Sequence, residues 1–335
     1  MNQTDIKAYR KQLWPMPPVT RTEDGAMRRL GVEIEFAGLD IEQIVELLIQ
    51  SLGGQANKIS DYEYALEGAH LADEEVGTFG IELDYAYLKR LGKEREQSDE
   101  KGELGELTEG LLSLLAKQVV PFEIVCPPLD MHQLWHLEDV IRELRHAGAK
   151  GTNHATAYAF GLQLNPEMPN MKAETILAYI RAFQCLFLWL RERSQVDLSR
   201  RFTPYIDPCG KDYLKLIMDD DYAPDLTTLM DDYLEHNPTR NRAMDMMPLF
   251  THLDEPRVRA AVDDDRIKPR PTLHYRLPNC QIDEPDWALI RPWRDWLQVE
   301  SLACAEQRLK TVCRGYRKYL KNPVTATFSD WGEAS

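Results

Sequence analysis

The order of hydrophobic patterns along this chain predicts an α+β fold. Three observations lead there. Short runs that alternate apolar and polar residues dominate the first part, long runs of helical periodicity dominate the second, and the two kinds do not alternate regularly. No Gly-x-Gly-x-x-Gly or P-loop lysine motif supports a doubly wound nucleotide-binding fold. A length of 335 residues allows one large domain or two ordinary ones. The organisation expected is an N-terminal arm over 1–24, then a single domain over 25–335. That domain carries a helical insert at about 166–265 and C-terminal helices at about 285–321.

The arm is polar and Pro-containing. The first strand runs over 27–37, where Val32, Ile34 and Phe36 alternate with Glu33 and Glu35. Period-two alternation puts the apolar set on one face and both carboxylates on the other, about 7 Å apart. Asp40 is placed to N-cap a helix from Ile41 to about Leu52, and Gly53-Gly54 stops it. A meander follows: Ala56–Ser60, Tyr62–Glu67 and Thr78–Tyr85, the last presenting Glu82 and Asp84 on one face. The charged stretch 92–106 is expected to be a solvated loop and Glu106–Lys117 a helix. Val119–Val125 reads as a strand ended by Pro127-Pro128, with Glu123 among apolar neighbours.

Residues 130–147 are expected to form an amphipathic helix and 171–193 a long buried one. Arg181 and Gln184 within the latter argue against a membrane span. Ala155–Asn165 reads as a strand carrying Gln163 and Asn165. After loops and short helices over 197–250, a last strand at Pro271–Leu277 carries His274 and Arg276. The C-terminal part from about Trp287 is helical, with Trp287, Trp293 and Trp296 at core spacing. Its basic end, Arg314–Lys321, fits the helix dipole.

A net charge of -15 disfavours nucleic-acid backbones and anionic membranes as partners. The six cysteines form no Cys-x-x-Cys pair and are expected to be reduced and buried. The first residues lack a signal-peptide core, so the expected location is cytoplasmic. His132 and His136 sit four apart but without the Glu of a zinc helix. Asp219–Asp221 and Asp263–Asp265 lack EF-hand spacing and read as solvated turns.

If these strands share a sheet, one face gathers oxygen ligands from at least four of them and ends in a guanidinium. Mg²⁺ takes oxygen ligands and keeps water or phosphate oxygens for the rest of its octahedron. Clustered carboxylates repel, so a cation is a physical reason to converge them. Arginine offers a planar fork for phosphate oxygens. The pattern therefore suits a magnesium–nucleotide site.

Five ordered motifs then carry a resemblance: Gly-Val-Glu-Ile-Glu-Phe from Gly31, the strand bearing Asp84, Phe-Glu-Ile-Val-Cys-Pro-Pro-Leu from Phe122, Gly-Leu-Gln-Leu-Asn-Pro-Glu from Gly161, and Thr-Leu-His-Tyr-Arg-Leu-Pro from Thr272. In this order the chain resembles the putative amidoligase family, relatives of glutamate–cysteine ligase and glutamine synthetase. The resemblance implies a curved antiparallel sheet with helices on its outer face and metals and ATP on its concave face. It implies metal ligation by Glu33, Glu35, Asp84 and Glu123, and a phosphate contact at Arg276.

Two positions depart from the relatives' pattern: Gln163 stands where a histidine is usual, and His274 where a glutamate is common. We expect these two to supply the second metal's ligands jointly. Glu33, Asp84 and Glu123 would then serve one Mg²⁺, and Glu35, Gln163 and His274 the other, with Mn²⁺ as an alternative ion. Asn165, Arg270 and His154 are candidates for further nucleotide contacts, Arg200 and Arg201 for a substrate carboxylate, and Glu82 for a base beside Asp84.

The expected activity is ATP- and Mg²⁺-dependent joining of a carboxylate to an amine through an acyl phosphate. Its partners would be small-molecule or peptide substrates bearing those groups. The alternatives are a non-catalytic nucleotide- or peptide-binding relative and a metal-dependent hydrolase. No motif sets the oligomeric state.

Overall fold

The computed structural model describes residues 14–83, 121–152, 160–194 and 209–321. They form a mostly antiparallel sheet with helices, an α+β arrangement. The chain groups into two compact units. A sheet unit comprises Gly31–Gln163 and Asn279–Leu289. A helical unit comprises the chain up to Leu30, Leu164–Pro278 and the chain from Ile290.

In the sheet unit, β1 (Arg29–Phe36) leads to α1 (Ile41–Leu52), then β2 (Gln55–Ser60), β3 (Glu63–Glu67), a small β4–β5 pair (His70–Leu71, Glu74–Glu75), β6 (Phe79–Leu83) and β7 (Phe122–Val125). The strand order is β2-β3-β6-β7-β1, every pairing antiparallel. Ile34, Ile124 and Ile81 lie in one row, and Phe36, Phe122 and Leu83 in the next. All six are buried, so the alternation read from the sequence selects this as the core face. α1 packs on β3 and β6.

The Asp40 cap is present as a reciprocal capping box with Gln43. After the helix, Gly54 takes φ +84°, and a Cβ there would meet Glu67 O at 2.4 Å. Only glycine lets β2 start against the end of β3.

β8 (Leu129–Asp130) precedes a 3₁₀ segment, Met131–His136, and α2 (Leu137–Ala147). The expected 130–147 helix is thus 3₁₀ over its first part. At three residues per turn, His132 and His136 do not share a face there.

The helical unit holds the later part of β9 (Leu162–Pro166), then α3 (Ala173–Arg193), α4 (Lys211–Ile217), α5 (Leu226–His236), β10 (Met244–Asp245), α6 (Met247–Leu253), α7 (Glu255–Ala261), β11 (His274–Tyr275), α8 (Ile290–Cys304) and α9 (Glu306–Lys321). α3 packs against α8 and α9. By length and composition it could cross a membrane, but 61% of that window is buried inside the protein. Its Arg181 donates to the carbonyls of Ile217, Asp219 and Tyr222.

Trp293 and Trp296 are fully buried, with the Trp296 ring tilted against Tyr275 at 5.3 Å between centroids. The expected strand at Pro271–Leu277 is reduced to two residues. Pro271 and Pro278 have no N–H to give to a ladder, and pairing survives beside them as an isolated Glu167–Thr272 bridge. Five cysteines are buried and all six are free; Cys304 is exposed, against expectation.

Candidate functional site

The sheet unit turns its other face into a row of carboxylates. Glu35 is the cross-strand partner of Glu123, Glu123 of Glu82, and Glu82 of Glu63. Directly opposed residues point to the same side, so four glutamates cross four adjacent strands at about 4.8 Å per step. Glu33, two residues before Glu35, shares the face, and its row continues through Val125, Gly80 and Ala65. All five glutamates are half-buried. Glu35 is fixed further: its Oε2 accepts from Gly161 N at 2.6 Å, and its own N–H donates to Gly161 O at 3.1 Å. Burial, and then the charge of Glu33, push the Cys126 thiol up.

Like charges directly opposite destabilise a sheet. A cation bound on this face would offset part of that repulsion. The donors are all oxygen, which suits a hard divalent cation. Among the described residues no three His, Cys, Asp or Glu side chains converge into a metal shell.

The helical unit gathers opposite charge. β11 pairs with β10 through His274–Asp245 and with β9 through Tyr275–Leu164. Tyr275 and Leu164 face the core, so Asn165, Asp245 and His274 face the other way, with Arg276 following two residues on. Arg276 N–H donates to Ala243 O at 2.9 Å, and its Nη2 donates to Asp245 Oδ2 at 2.9 Å. Asp245 is buried. Burial pushes its carboxyl up, opposed first by Arg276. His274 is buried, and desolvation together with Arg276, Arg270 and Arg240 holds its imidazole well below the usual 6.5. It is therefore neutral at neutral pH, the form that can ligate or accept a proton. Desolvation and the neighbouring Arg276 also pull the Arg240 guanidinium down. Nearby, Arg266 pairs with Asp264 at 2.6 Å and holds it down at about 2.

Glu33, Glu35, Glu82 and Glu123 are thus brought onto one face of the sheet unit. Asn165, His274, Arg276 and Arg270 belong to the helical unit, and Gln163 shares its side of β9 with Asn165. Asp84, His154, Arg200 and Arg201 lie outside the described residues, as do the 92–106 loop and the 106–117 helix. Asp219 and Asp220 pair with Arg317 and Arg314 on α9.

Three residues escaped the sequence reading: Glu63, Asp245 and Arg240. Glu63 alternates with Tyr62 and Tyr64, a signal that was available. Asp245 stands alone among Ala243, Met244, Met246 and Met247, the mark of a buried carboxylate with a partner. Arg240 carries no local signal.

No curated protein and no solved structure matches the chain significantly. The model of the family described as putative amidoligase enzyme matches residues 26–298. That span holds both the glutamate row and the Asp245–Arg276 pair, and the chain belongs to this family.

Proposed function

We propose that the protein is an ATP- and Mg²⁺-dependent carboxylate–amine ligase with the curved-sheet architecture of that ligase class. The observation that supports this reading is the row Glu35–Glu123–Glu82–Glu63, which sets carboxylates of four adjacent strands on one face. A carboxylate is a poor acyl donor. In the reaction its oxygen attacks the γ-phosphorus of ATP, the bond to the β-bridging oxygen breaks, and ADP leaves. The amine then attacks the acyl carbon, the C–O bond to phosphate breaks, and an amide, phosphate and a proton result.

Glu33, Glu35 and Glu123, with Asp84 and Gln163, would be the sheet unit's Mg²⁺ ligands, and His274 is the candidate ligand carried by the helical unit. The ion supplies charge neutralisation at the phosphates. The chain's own residues do the rest. Arg276, held by Asp245, offers its fork to oxygens of the transferring phosphoryl group. Arg270 and Asn165 add contacts to the nucleotide, as does His154, and Arg200 and Arg201 would take a substrate carboxylate. Glu82, central in the row, would accept the amine's proton.

The test is ADP release by purified protein with ATP, Mg²⁺ and pooled amino acids or peptides. The ligase forms ADP only when carboxylate and amine are both present. Nucleotide binding with no ADP formed identifies a binding relative, the reading favoured by Gln163 and His274. Peptide cleavage without ATP identifies a hydrolase.

A further inference from the structure

We propose that Cys185 and Cys313 form an oxidative modification site, at which a hydroperoxide entering the cleft beside α9 converts the two thiols to a disulfide that ties α3 to α9. The proposal is independent of the ligase reading.

Cys185 lies on α3 and Cys313 on α9, helices that pack on one another within the helical unit. Both cysteines are free and buried. Their sulfurs stand 3.9 Å apart, at positions separated by 128 along the chain. A disulfide holds its sulfurs at about 2.05 Å. The thiols are therefore in contact but unbonded, and a turn of their side chains has to close the rest.

Access from one side sets this pair apart from ordinary core thiols. A cleft of about 950 Å³ opens between α3, the chain after α4 and the α8–α9 corner. Its wall includes Cys313, Met218 and Arg181 but not Cys185. The space is many times the roughly 30 Å³ that a water takes in the liquid, so a molecule the size of hydrogen peroxide fits.

Arg181 is one turn before Cys185 on the same side of α3. It donates to the carbonyls of Ile217, Asp219 and Tyr222. These partners are neutral, so its charge is left to favour a nearby thiolate. The S–H of Cys185, donated to Cys313, pulls the Cys313 thiol down. Burial and Asp220 oppose that, and Arg181 adds to it. Burial pushes the Cys185 thiol up. The sulfur on the cleft is thus the nucleophile, and the enclosed one is its resolving partner.

The steps balance as follows. Cys313 gives up its proton, and its sulfur attacks one peroxide oxygen. The O–O bond breaks, and the leaving hydroxide takes that proton to become water. The product is a sulfenic acid at Cys313. Cys185 Sγ then attacks Cys313 Sγ, the S–O bond breaks, and the second hydroxide leaves as water with the Cys185 proton. The thiols lose two electrons and the peroxide gains them.

The test is exposure of the reduced full chain to hydrogen peroxide, then alkylation of the remaining thiols and peptide mass spectrometry. The expected product is a Cys185–Cys313 linked peptide, formed ahead of any linkage to Cys304 and removed by dithiothreitol. Cys185→Ala should stop the reaction halfway, with Cys313 held as a sulfenic acid that dimedone labels. Cys313→Ala should leave Cys185 a free thiol. Cys304→Ser changes the exposed thiol and should leave the yield unchanged. Circular dichroism checks the fold of each variant, and the wild-type result stands without them. In urea the preference for this pair should vanish. The inference is overturned if peroxide leaves both thiols open to alkylation, or if Met218 alone is oxidised. It is equally overturned if linkages spread evenly over the cysteines, or if the preference survives unfolding.

Discussion

Glu35 and Glu123 stand directly opposite one another on neighbouring antiparallel strands, and Glu123 has Glu82 on its other side. Like charges so placed oppose stability, and on the proposed function a bound divalent cation offsets part of that repulsion. Glu123→Gln removes one of the two inner charges while keeping size. The metal-free protein should gain about 0.5–1 kcal/mol, and the rise in melting temperature produced by MgCl₂ should shrink. Thermal unfolding with and without Mg²⁺ reads both. A variant that melts earlier yet keeps the full Mg²⁺ response would assign Glu123 a structural role.

Glu35 has two tasks that can be separated. Its Oε2 accepts the Gly161 N–H, and its charge contributes to the row. Glu35→Ala leaves that N–H without its acceptor and should cost about 1–3 kcal/mol in urea unfolding. Glu35→Gln keeps an acceptor oxygen and should cost less than half as much. Both should abolish ADP release if the charge serves the cation. Retained activity in Glu35→Gln would remove Glu35 from the metal set.

What the sequence made legible is the direction of side chains. Alternation in 32–36, 79–83 and 122–125 assigns each apolar residue to the core and each glutamate to the opposite face, and the strands obey it. Neighbour relations were not legible. Glu63 joins the row because β3 pairs with β6 in one register, and no local pattern specifies that register. The Asp245–Arg276 pair depends on an approach across 31 positions of chain, and Arg240 depends on the same packing. Helical periodicity did not distinguish α from 3₁₀ over 131–136, since both bury Leu134.

His274 gives a pH dependence with a defined sign. Its imidazole is held well below the usual 6.5 in the folded protein by burial and by Arg276, Arg270 and Arg240, while the unfolded chain keeps the usual value. Between the two values the unfolded state binds the extra proton. This contribution to stability is therefore complete above about pH 6.5 and is lost as pH falls below it, by at most about 1.4 kcal/mol per pH unit. His274→Gln should flatten that slope in urea midpoints measured from pH 7.5 to 5. An unchanged slope would place the titration elsewhere.

The helical unit depends on a buried ion pair whose removal should be felt throughout it. Arg28 and Glu300 are both fully buried and meet in a two-pronged arrangement, Nη2–Oε1 at 2.9 Å and Nη1–Oε2 at 3.0 Å. Trp296 Nε1 also donates to Glu300 Oε1 at 3.0 Å, and Tyr179 OH donates to Oε2. Arg28 donates as well to the carbonyls of Val19 and Glu167, tying the N-terminal segment to the chain after β9. Desolvation works against the Arg28 charge, and Glu300 more than restores it. Glu300→Leu strands that guanidinium in the core and should cost about 3–5 kcal/mol. Arg28→Met strands the carboxylate and should cost a similar amount. The double variant has no stranded charge, so it should be less destabilised than the sum of the singles by about 1–3 kcal/mol. Urea denaturation of all four proteins measures the coupling, and strict additivity would mean that the two groups act through their other partners and not through each other.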